Sequence, residues 1–99
     1  MFSLLYTKEA KKNINRLTLK KRWQIEEALL RLASNPDAGK RLSRDLKGLY
    51  SMRSGDYRII YKVFREKITI IVIAVGHRRD VYEKASKRAQ SIQDISLNE

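Results

Sequence analysis

The sequence contains no cysteine, a single histidine and a single proline, and its basic residues outnumber its acidic ones two to one. The lack of cysteine excludes a disulfide framework, a thiolate metal site and a cysteine nucleophile, and it fits a reducing cytoplasm best. One histidine cannot assemble a zinc site by itself. The longest apolar run, Ile70 to Val75, is too short to cross a membrane, and the N-terminus lacks the charged lead and apolar stretch of a signal peptide.

Positive charge is the strongest signal in the composition. Twenty-two Lys and Arg against 11 Asp and Glu give a formal net charge of +11 over 99 residues. Such an excess attracts polyanions and releases their condensed counterions, so nucleic acid is the leading partner. A surface charged only for solubility, an acidic protein partner or a membrane surface would also fit this charge. The length predicts a single domain over residues 1–90, and residues 91–99 are expected to form a mobile tail because they have few apolar anchors.

The spacing of apolar residues predicts an α+β fold. The first helix begins at Thr7, whose side-chain oxygen can cap it. The second helix ends at Asn35-Pro36, because a residue before proline is pushed out of the helical region. Later runs of β-branched and aromatic residues, joined by tight turns, predict a three-stranded antiparallel meander with the two helices on one face. The predicted elements are a strand over Phe2–Tyr6, the helix from Thr7, a helix over Leu19–Ala33, a basic loop over residues 36–48, strands over Leu49–Arg53, Tyr57–Phe64 and Ile68–Val75, and a last helix over Val81–Ala89.

Two of these elements carry further expectations about burial. The strand Ile68–Val75 is apolar on both alternating faces, which indicates a central strand covered on both sides. In the second helix, Ile25, Leu29 and Leu32 share one face, and Trp23 is expected beside that face.

Two arginines flank the predicted hairpin turn Ser54-Gly55-Asp56. Strand alternation directs Arg58 away from the expected core side, with Arg53 across the turn in the neighbouring strand. Two guanidinium groups this close are costly unless an anion lies between them, and phosphate is the natural one. In the alternative interpretation, Arg58 forms a structural ion pair with Asp56 or Asp80.

A second cluster of candidate residues follows the predicted central strand, namely His77, Arg78, Arg79 and Tyr82. Histidine and tyrosine can move protons, arginine can stabilise charge that develops on phosphorus, and an aromatic ring can stack on a base. Together these groups suit metal-free cleavage of RNA by its own 2′-hydroxyl. Each also has a simpler interpretation: a surface histidine, a tyrosine that packs the last helix, and an arginine paired with a nearby acid.

Three segments together resemble the RelE/ParE toxin superfamily, and they are most similar to its RelE branch: Leu46–Tyr50, Arg53–Tyr61 and Val75–Tyr82. The resemblance spans nearly the whole chain. It implies a toxin of a two-gene toxin–antitoxin module, neutralised by a small antitoxin that wraps around it. It further implies an endoribonuclease that enters the ribosomal A site, cuts messenger RNA through the 2′-hydroxyl without a metal or other cofactor, and so stops translation and growth.

The resemblance also implies roles for individual residues. Arg58 matches the arginine that steadies the scissile phosphate, and Arg78 matches the arginine that stabilises charge and can act as an acid. Tyr82 matches the tyrosine that orients or activates the nucleophile. On the charge of the domain, we expect further cations to bind RNA, namely Arg44, Lys47, Arg53 and Arg79.

One departure from the RelE pattern concerns the strand before the hairpin turn. That pattern has two lysines there, and the aligned positions in this chain are Leu49 and Ser51. Their absence removes positive charge that would hold substrate or accept a proton. The substitutes available in the sequence are Lys47, Arg53 and His77.

Two other functions stay open at this stage. A ParE-like inhibitor of DNA gyrase would have the same fold and basic character, but it would not need the segment from His77 to Tyr82. A degenerate toxin that only binds RNA or its antitoxin would explain the missing lysines. In every case the charge of +11 favours an acidic, partly disordered antitoxin as partner, because opposite charge raises both affinity and association rate.

Overall fold

The structure is a computed structural model that describes residues 1–77, 80–83 and 85. Its α+β fold agrees with the prediction, and residues 80–83 and 85 are helical, within or next to the predicted last helix. The rest of that helix and the predicted tail over residues 91–99 lie outside the described residues. The elements are β1 (Ser3–Tyr6), α1 (Lys8–Asn15), α2 (Leu19–Ser34), β2 (Lys40–Arg41), β3 (Tyr50–Ser54), β4 (Tyr57–Phe64) and β5 (Thr69–His77), with 3-10 turns at Arg44–Leu46 and Arg65–Lys67.

Both long helices begin at threonine caps. The Thr7 side chain accepts a hydrogen bond from the amide of Ala10 at 3.0 Å, as predicted. The Thr18 side chain accepts one from Lys21 in the same way at 3.3 Å, so each cap satisfies an amide that has no partner within its helix. Helix α2 ends at Ser34, and its C-cap is Asn35, directly before the proline, as the sequence predicted.

The five strands form one sheet in the order β1-β5-β4-β3-β2. Strands β3, β4 and β5 form the predicted antiparallel meander, whereas β1 adds to β5 in parallel and makes the sheet mixed. The prediction of a loop over residues 36–48 was incomplete, because Lys40–Arg41 pairs with β3 as a short edge strand. Its two side chains are exposed, so no alternation of buried and exposed residues marks it in the sequence.

Apolar side chains fill both faces of the sheet. Strand β5 is buried from Thr69 to Gly76, which confirms that it is a central strand covered on both sides. The face under α1 and α2 buries Ala10, Ile25, Ala28, Leu29, Leu32, Met52, Ile59, Tyr61, Ile70, Val72 and Val75. The opposite face, which we call the open face, buries Leu49, Ile60, Ile71, Ile73, Ala74, Val81 and Ala85.

One prediction about α2 was wrong. Ile25, Leu29 and Leu32 are buried as expected, but Trp23 is 71% exposed. Its ring lies on the outer side of the helix, where α1 and the sheet do not reach it. In the described part of the chain no helix is both long and apolar enough to span a membrane.

Thr7, the N-cap of α1, and Asn13 within that helix continue the hydrogen bonding of β5 beyond the end of β1. Strand β1 pairs with β5 only as far as Val72. The Thr7 hydroxyl then donates to the carbonyl of Ile73 at 2.6 Å, and the buried Asn13 side chain accepts from the amide of Val75 at 3.0 Å. These contacts satisfy buried backbone groups that would otherwise have no partner. They fix α1 against the end of the sheet that carries His77.

Candidate functional site

Arg53 and Arg58 lie directly opposite each other in the β3–β4 ladder. Arg53 is exposed and Arg58 is half-buried. Among the side chains that the structure describes, the only ion pair joins Arg65 to Asp37. Neither Asp56 nor Asp80 therefore neutralises Arg58, which was the alternative interpretation of this residue. Like charges directly opposite in a sheet repel each other, so the pair is poised to hold an anion such as phosphate.

A hydroxyl pair lies on the same face as the two arginines. Ser51 precedes Arg53 by two residues in β3, and it lies opposite the buried Ile60 of the open face. The Ser51 Oγ is 3.3 Å from the Tyr82 Oη, and either can donate. Ser51 is only 5% exposed, and Tyr82 packs half-buried against the core of the open face. The contact brings Tyr82 to the face that carries Arg53 and Arg58.

Gly76 allows the helical residues 80–83 and 85 to approach the sheet. It lies opposite Arg58 in the β4–β5 ladder. A Cβ atom at this glycine would be 3.3 Å from the Val81 Cβ, which is tight for two carbon atoms in a packed interior. Val81 and Ala85 are fully buried, and Tyr82 follows directly after Val81. The glycine thus contributes to the position of Tyr82 on the face that carries Arg58.

His77 lies on the other face of the sheet. It pairs with Tyr57 in the β4–β5 ladder, and the two rings meet edge to face with centroids 5.6 Å apart. Tyr57 packs against the core under the helices, whereas Arg58 is its neighbour in the strand and points the opposite way. The structure therefore does not bring His77 together with Arg58 and Tyr82.

Two predicted site residues, Arg78 and Arg79, fall outside the described residues. Leu49, at the first of the two expected lysine positions, is 4% exposed within the core of the open face. The floor of the site is therefore apolar where the RelE pattern has a cation. In the described part of the chain no three His, Asp or Glu side chains lie close enough together to hold a metal ion.

The remaining predicted RNA-binding residues, Arg44 and Lys47, lie at the far end of the sheet. Both are exposed and line a pocket of about 500 Å³ together with Arg41 and Arg65. Arg58 is the second residue of β4 and Arg65 follows its end, so seven residues of extended chain place the Arg65 side of the pocket about 20 Å from Arg58. Sequence reasoning assigned no role to Arg65. The cation-rich composition of residues 40–47 was the only signal for the pocket.

Comparison with known proteins supports the resemblance seen in the sequence. The family model described as the ParE toxin of type II toxin–antitoxin systems matches residues 4–82. The mRNA interferase toxin RelE of Escherichia coli is 31% identical over 91 residues, which cover 88% of this chain and 96% of that protein. Toxin RelG of Mycobacterium tuberculosis is 41% identical over 46 residues, so the chain spans only 53% of that relative.

Solved structures of related toxins have the same fold. The toxin–antitoxin complex RelBE2 of Mycobacterium tuberculosis contains a chain that matches with a TM-score of 0.73 and 29% identity, covering 78% of this chain and 98% of that one. The isolated Escherichia coli RelE toxin matches with a TM-score of 0.68 and 29% identity, covering 90% and 99%. The chain belongs to the ParE toxin family of type II toxin–antitoxin systems, within the RelE/ParE superfamily.

Proposed function

We propose that this toxin is a ribosome-dependent endonuclease that cuts messenger RNA in the A site, without a metal ion. The observation that carries the proposal is the joint position, on one face, of the Arg53–Arg58 pair, which forms no ion pair with a described acid, and the Ser51–Tyr82 hydroxyl pair. A cation pair can hold a phosphate, and a positioned hydroxyl beside it can take part in proton transfer. The naming of the Escherichia coli relative as an mRNA interferase supports the same reaction.

The reaction uses only groups of the RNA and of the protein. The 2′-oxygen loses its proton and attacks the adjacent phosphorus, and the 5′-oxygen of the next nucleotide leaves as it gains a proton. The products are a 2′,3′-cyclic phosphate and a 5′-hydroxyl end. Arg58 holds the phosphate with the help of Arg53, and Tyr82 orients or deprotonates the 2′-hydroxyl. The family resemblance assigns charge stabilisation and proton donation to Arg78. His77 receives no role, because its ring lies on the other face.

The partners follow from charge and from the structural relatives. Matching structures from Mycobacterium tuberculosis and Escherichia coli are toxin–antitoxin complexes. We therefore include in the proposal a cognate antitoxin, acidic and partly disordered, that neutralises this chain. The net charge of +11 favours such a partner, and it also favours binding to the ribosome and to messenger RNA in the cytoplasm.

The test compares toxins that differ at a single cation of β4. Wild type, Arg58→Gln and Lys62→Gln are induced briefly in cells that lack antitoxin, and the cellular messages are mapped by primer extension. Lys62 lies on the same strand, where its ammonium group is 5.2 Å from the Phe64 ring, so this variant controls for the loss of one charge. The proposal predicts new cuts within translated messages for wild type and Lys62→Gln, and a loss of about 100-fold or more for Arg58→Gln. Equal cutting by all three proteins would overturn it.

The same experiment separates the two alternatives. The family model carries the ParE name, which favours gyrase inhibition as the second candidate. Gyrase inhibition predicts that DNA synthesis stops before protein synthesis after induction, with messages left intact. A degenerate toxin predicts normal growth of cells that express the wild type without antitoxin.

A further inference from the structure

A basic pocket of about 500 Å³ opens at the end of the sheet away from the hairpin turn. Four cationic side chains line it, and apolar side chains form part of its wall. This volume suits a small molecule, and a few polar groups over an apolar floor are typical of ligand sites. The residues that matter here are Arg41, Arg44, Lys47 and Arg65, with Leu42 and Val63.

A column of stacked side chains holds Arg41 in place. Its guanidinium carbon lies 6.0 Å from the centroid of the Tyr50 ring, and Tyr50 stacks on Tyr61 with centroids 5.3 Å apart and planes at 16°. Tyr61 is fully buried; its hydroxyl donates to the carbonyl of Pro36 at 2.9 Å and accepts from the amide of Gly39 at 3.0 Å. Arg41 is exposed and lies over the end of this column, so its N–H groups are available to an anion in the pocket.

The four cations differ in whether their charge is already neutralised by an ion pair with an acid. Arg65 forms an ion pair with Asp37, and hydrogen bonds to Asp37 and to Tyr50 raise the pKa of its guanidinium. Among the described side chains, no acid pairs with Arg41, Arg44 or Lys47. Among the described side chains that line it, the pocket thus has cations and no acid beside an aromatic and aliphatic wall.

The backbone at Arg44 is a further sign of a built site. Its φ is 58°, in the left-handed region that is unfavourable for residues with a Cβ atom. Such strain persists where the surrounding structure enforces it, and it is commonly found at ligand sites. Arg44 and Lys47 line the same pocket.

We propose that this pocket binds one nucleotide, with the phosphate held by Arg41, Arg44 and Lys47 and the base against the apolar wall around Leu42 and Val63. Separated, mobile cations would suffice for an acidic peptide. An arginine over an aromatic ring, a stacked pair of tyrosines and an apolar wall within one nucleotide-sized cavity favour a ligand that has both a phosphate and a flat ring. The nucleotide can be one unit of an RNA strand or a free nucleotide.

The pocket adjoins the proposed cleavage site, because Leu49 and Tyr50 in its wall directly precede Ser51. Its cations lie toward the other end of β4, where Arg65 is about 20 Å from Arg58 along the strand. Binding here goes beyond the proposed function and does not require that Arg58 take part in cleavage. As one unit of a messenger, the bound nucleotide would lie several positions from the scissile bond.

The test uses the full chain, two probes and two variants of equal net charge. The probes are adenosine 5′-monophosphate and a 2′-O-methyl RNA tetranucleotide, which has no free 2′-hydroxyl and so cannot be cut. Arg41→Gln/Lys47→Gln removes two pocket cations. Lys8→Gln/Lys12→Gln removes two exposed cations of α1 and serves as the matched control. Binding is followed by titration calorimetry and by amide NMR shifts of Leu42, Tyr50 and Val63.

The proposal predicts saturable binding of at least one probe, with the largest amide shifts at the pocket. We expect the pocket variant to bind about tenfold or more weakly, and the control to stay within about twofold of wild type. Preference for the monophosphate would indicate a free nucleotide, and preference for the tetranucleotide would indicate a unit of RNA. Thermal unfolding of both variants checks that each is folded.

Three outcomes would overturn the proposal. Equal weakening in both variants would mean that the net charge alone attracts the probes. Lack of saturable binding by either probe would exclude a nucleotide site. Displacement of the probes by a hexaglutamate peptide that binds more tightly and shifts the same amides would assign the pocket to an acidic protein segment instead. None of these results involves the ribosome, so failure of the pocket is distinguishable from failure of the proposed cleavage.

Discussion

The Ser51 Oγ lies 3.3 Å from the Tyr82 Oη, and this contact links strand β3 to the helical residues that follow β5. Ser51 stands at one of the two positions where the RelE pattern has lysine. A lysine would place a cation there, whereas the serine provides a small neutral hydroxyl within reach of the phenol. The site of this toxin therefore combines cations at Arg53 and Arg58 with a hydroxyl pair at the place of the missing charge.

Coupling between these two hydroxyls can be measured with a double-mutant cycle. Ser51→Ala and Tyr82→Phe each remove one member, and we expect the hydrogen bond to contribute about 1 kcal/mol to the free energy of unfolding. If Ser51 positions the phenol, introducing Ser51→Ala into the wild type slows single-turnover cleavage on programmed ribosomes several-fold. Introducing the same substitution into the Tyr82→Phe variant then causes hardly any further loss.

The control for this cycle is Ser54→Ala, in the same strand, whose hydroxyl lies at the limit of hydrogen bonding, 3.5 Å from the carbonyl of Gln24. Independent, additive effects of Ser51→Ala and Tyr82→Phe on both unfolding and cleavage would contradict the link between them.

Repulsion between Arg53 and Arg58 predicts a variant that gains stability while it loses anion binding. Because the two lie directly opposite each other, Arg53→Gln should raise the free energy of unfolding by about 0.2–1 kcal/mol at low salt. Added phosphate stabilises a native state that binds it, so phosphate should raise the melting temperature of wild type more than that of Arg53→Gln. Thermal unfolding with and without phosphate measures both effects.

Lys11→Gln, at an exposed position of α1, is the matched control and should respond to phosphate as wild type does. An equal response of all three proteins would show that phosphate does not bind between the two arginines.

Local signals in the sequence predicted most of the fold. The Thr7 cap, the proline after α2, the turn at Gly55 and the apolar run of β5 each act over a few neighbouring residues, and all of them are found in the structure. The parallel addition of β1 to β5 joins residues more than 60 positions apart. No local pattern specifies such a pairing, so only its result, a strand buried on both faces, was visible in the sequence.

The candidate site was harder to predict because it depends on which face each side chain occupies. Sequence proximity put His77 beside Tyr82, but strand β5 extends through His77 and turns its ring toward Tyr57 on the helix face. Ser51 was noted only as a missing lysine, although its hydroxyl reaches Tyr82. Alternation within a strand is predictable, but the residue at which the strand ends is not, and here that residue decides the composition of the site.

Asn13 is predicted to contribute to stability well beyond an average polar residue. It is 6% exposed; its Oδ1 accepts from the Val75 amide at 3.0 Å, and its Nδ2 donates to Glu9 at 2.7 Å. Asn13→Ala leaves a buried amide without a partner, so we expect a loss of about 1–3 kcal/mol in the free energy of unfolding. Asn15→Ala, at an exposed position of the same helix, should change it by less than about 0.5 kcal/mol. Urea unfolding of the two variants makes the comparison, and similar losses would argue against the contact with Val75.

The buried phenol of Tyr61 should make the free energy of unfolding depend on pH in alkaline solution. Burial raises the pKa of its phenol from 10.0 to about 12, an effect that the hydrogen bond from Gly39 partly offsets. The unfolded chain releases this proton near pH 10 and the folded protein only near pH 12, so the folded state binds more protons between these values. The free energy of unfolding must therefore fall as pH rises through this window. A shift of two units corresponds to about 2–3 kcal/mol in total.

Tyr61→Phe removes this titration, although it also removes the hydrogen bonds to Pro36 and Gly39. The two proteins differ only at this residue, so the informative quantity is the difference between wild type and variant. Between pH 9 and pH 11 the free energy of unfolding of the wild type should fall by about 1 kcal/mol more than that of the variant, as measured by urea unfolding at each pH. A difference that stays constant while both proteins lose stability would mean that the phenol of Tyr61 ionises equally readily in the folded and unfolded states, which its position between Pro36 and Gly39 argues against.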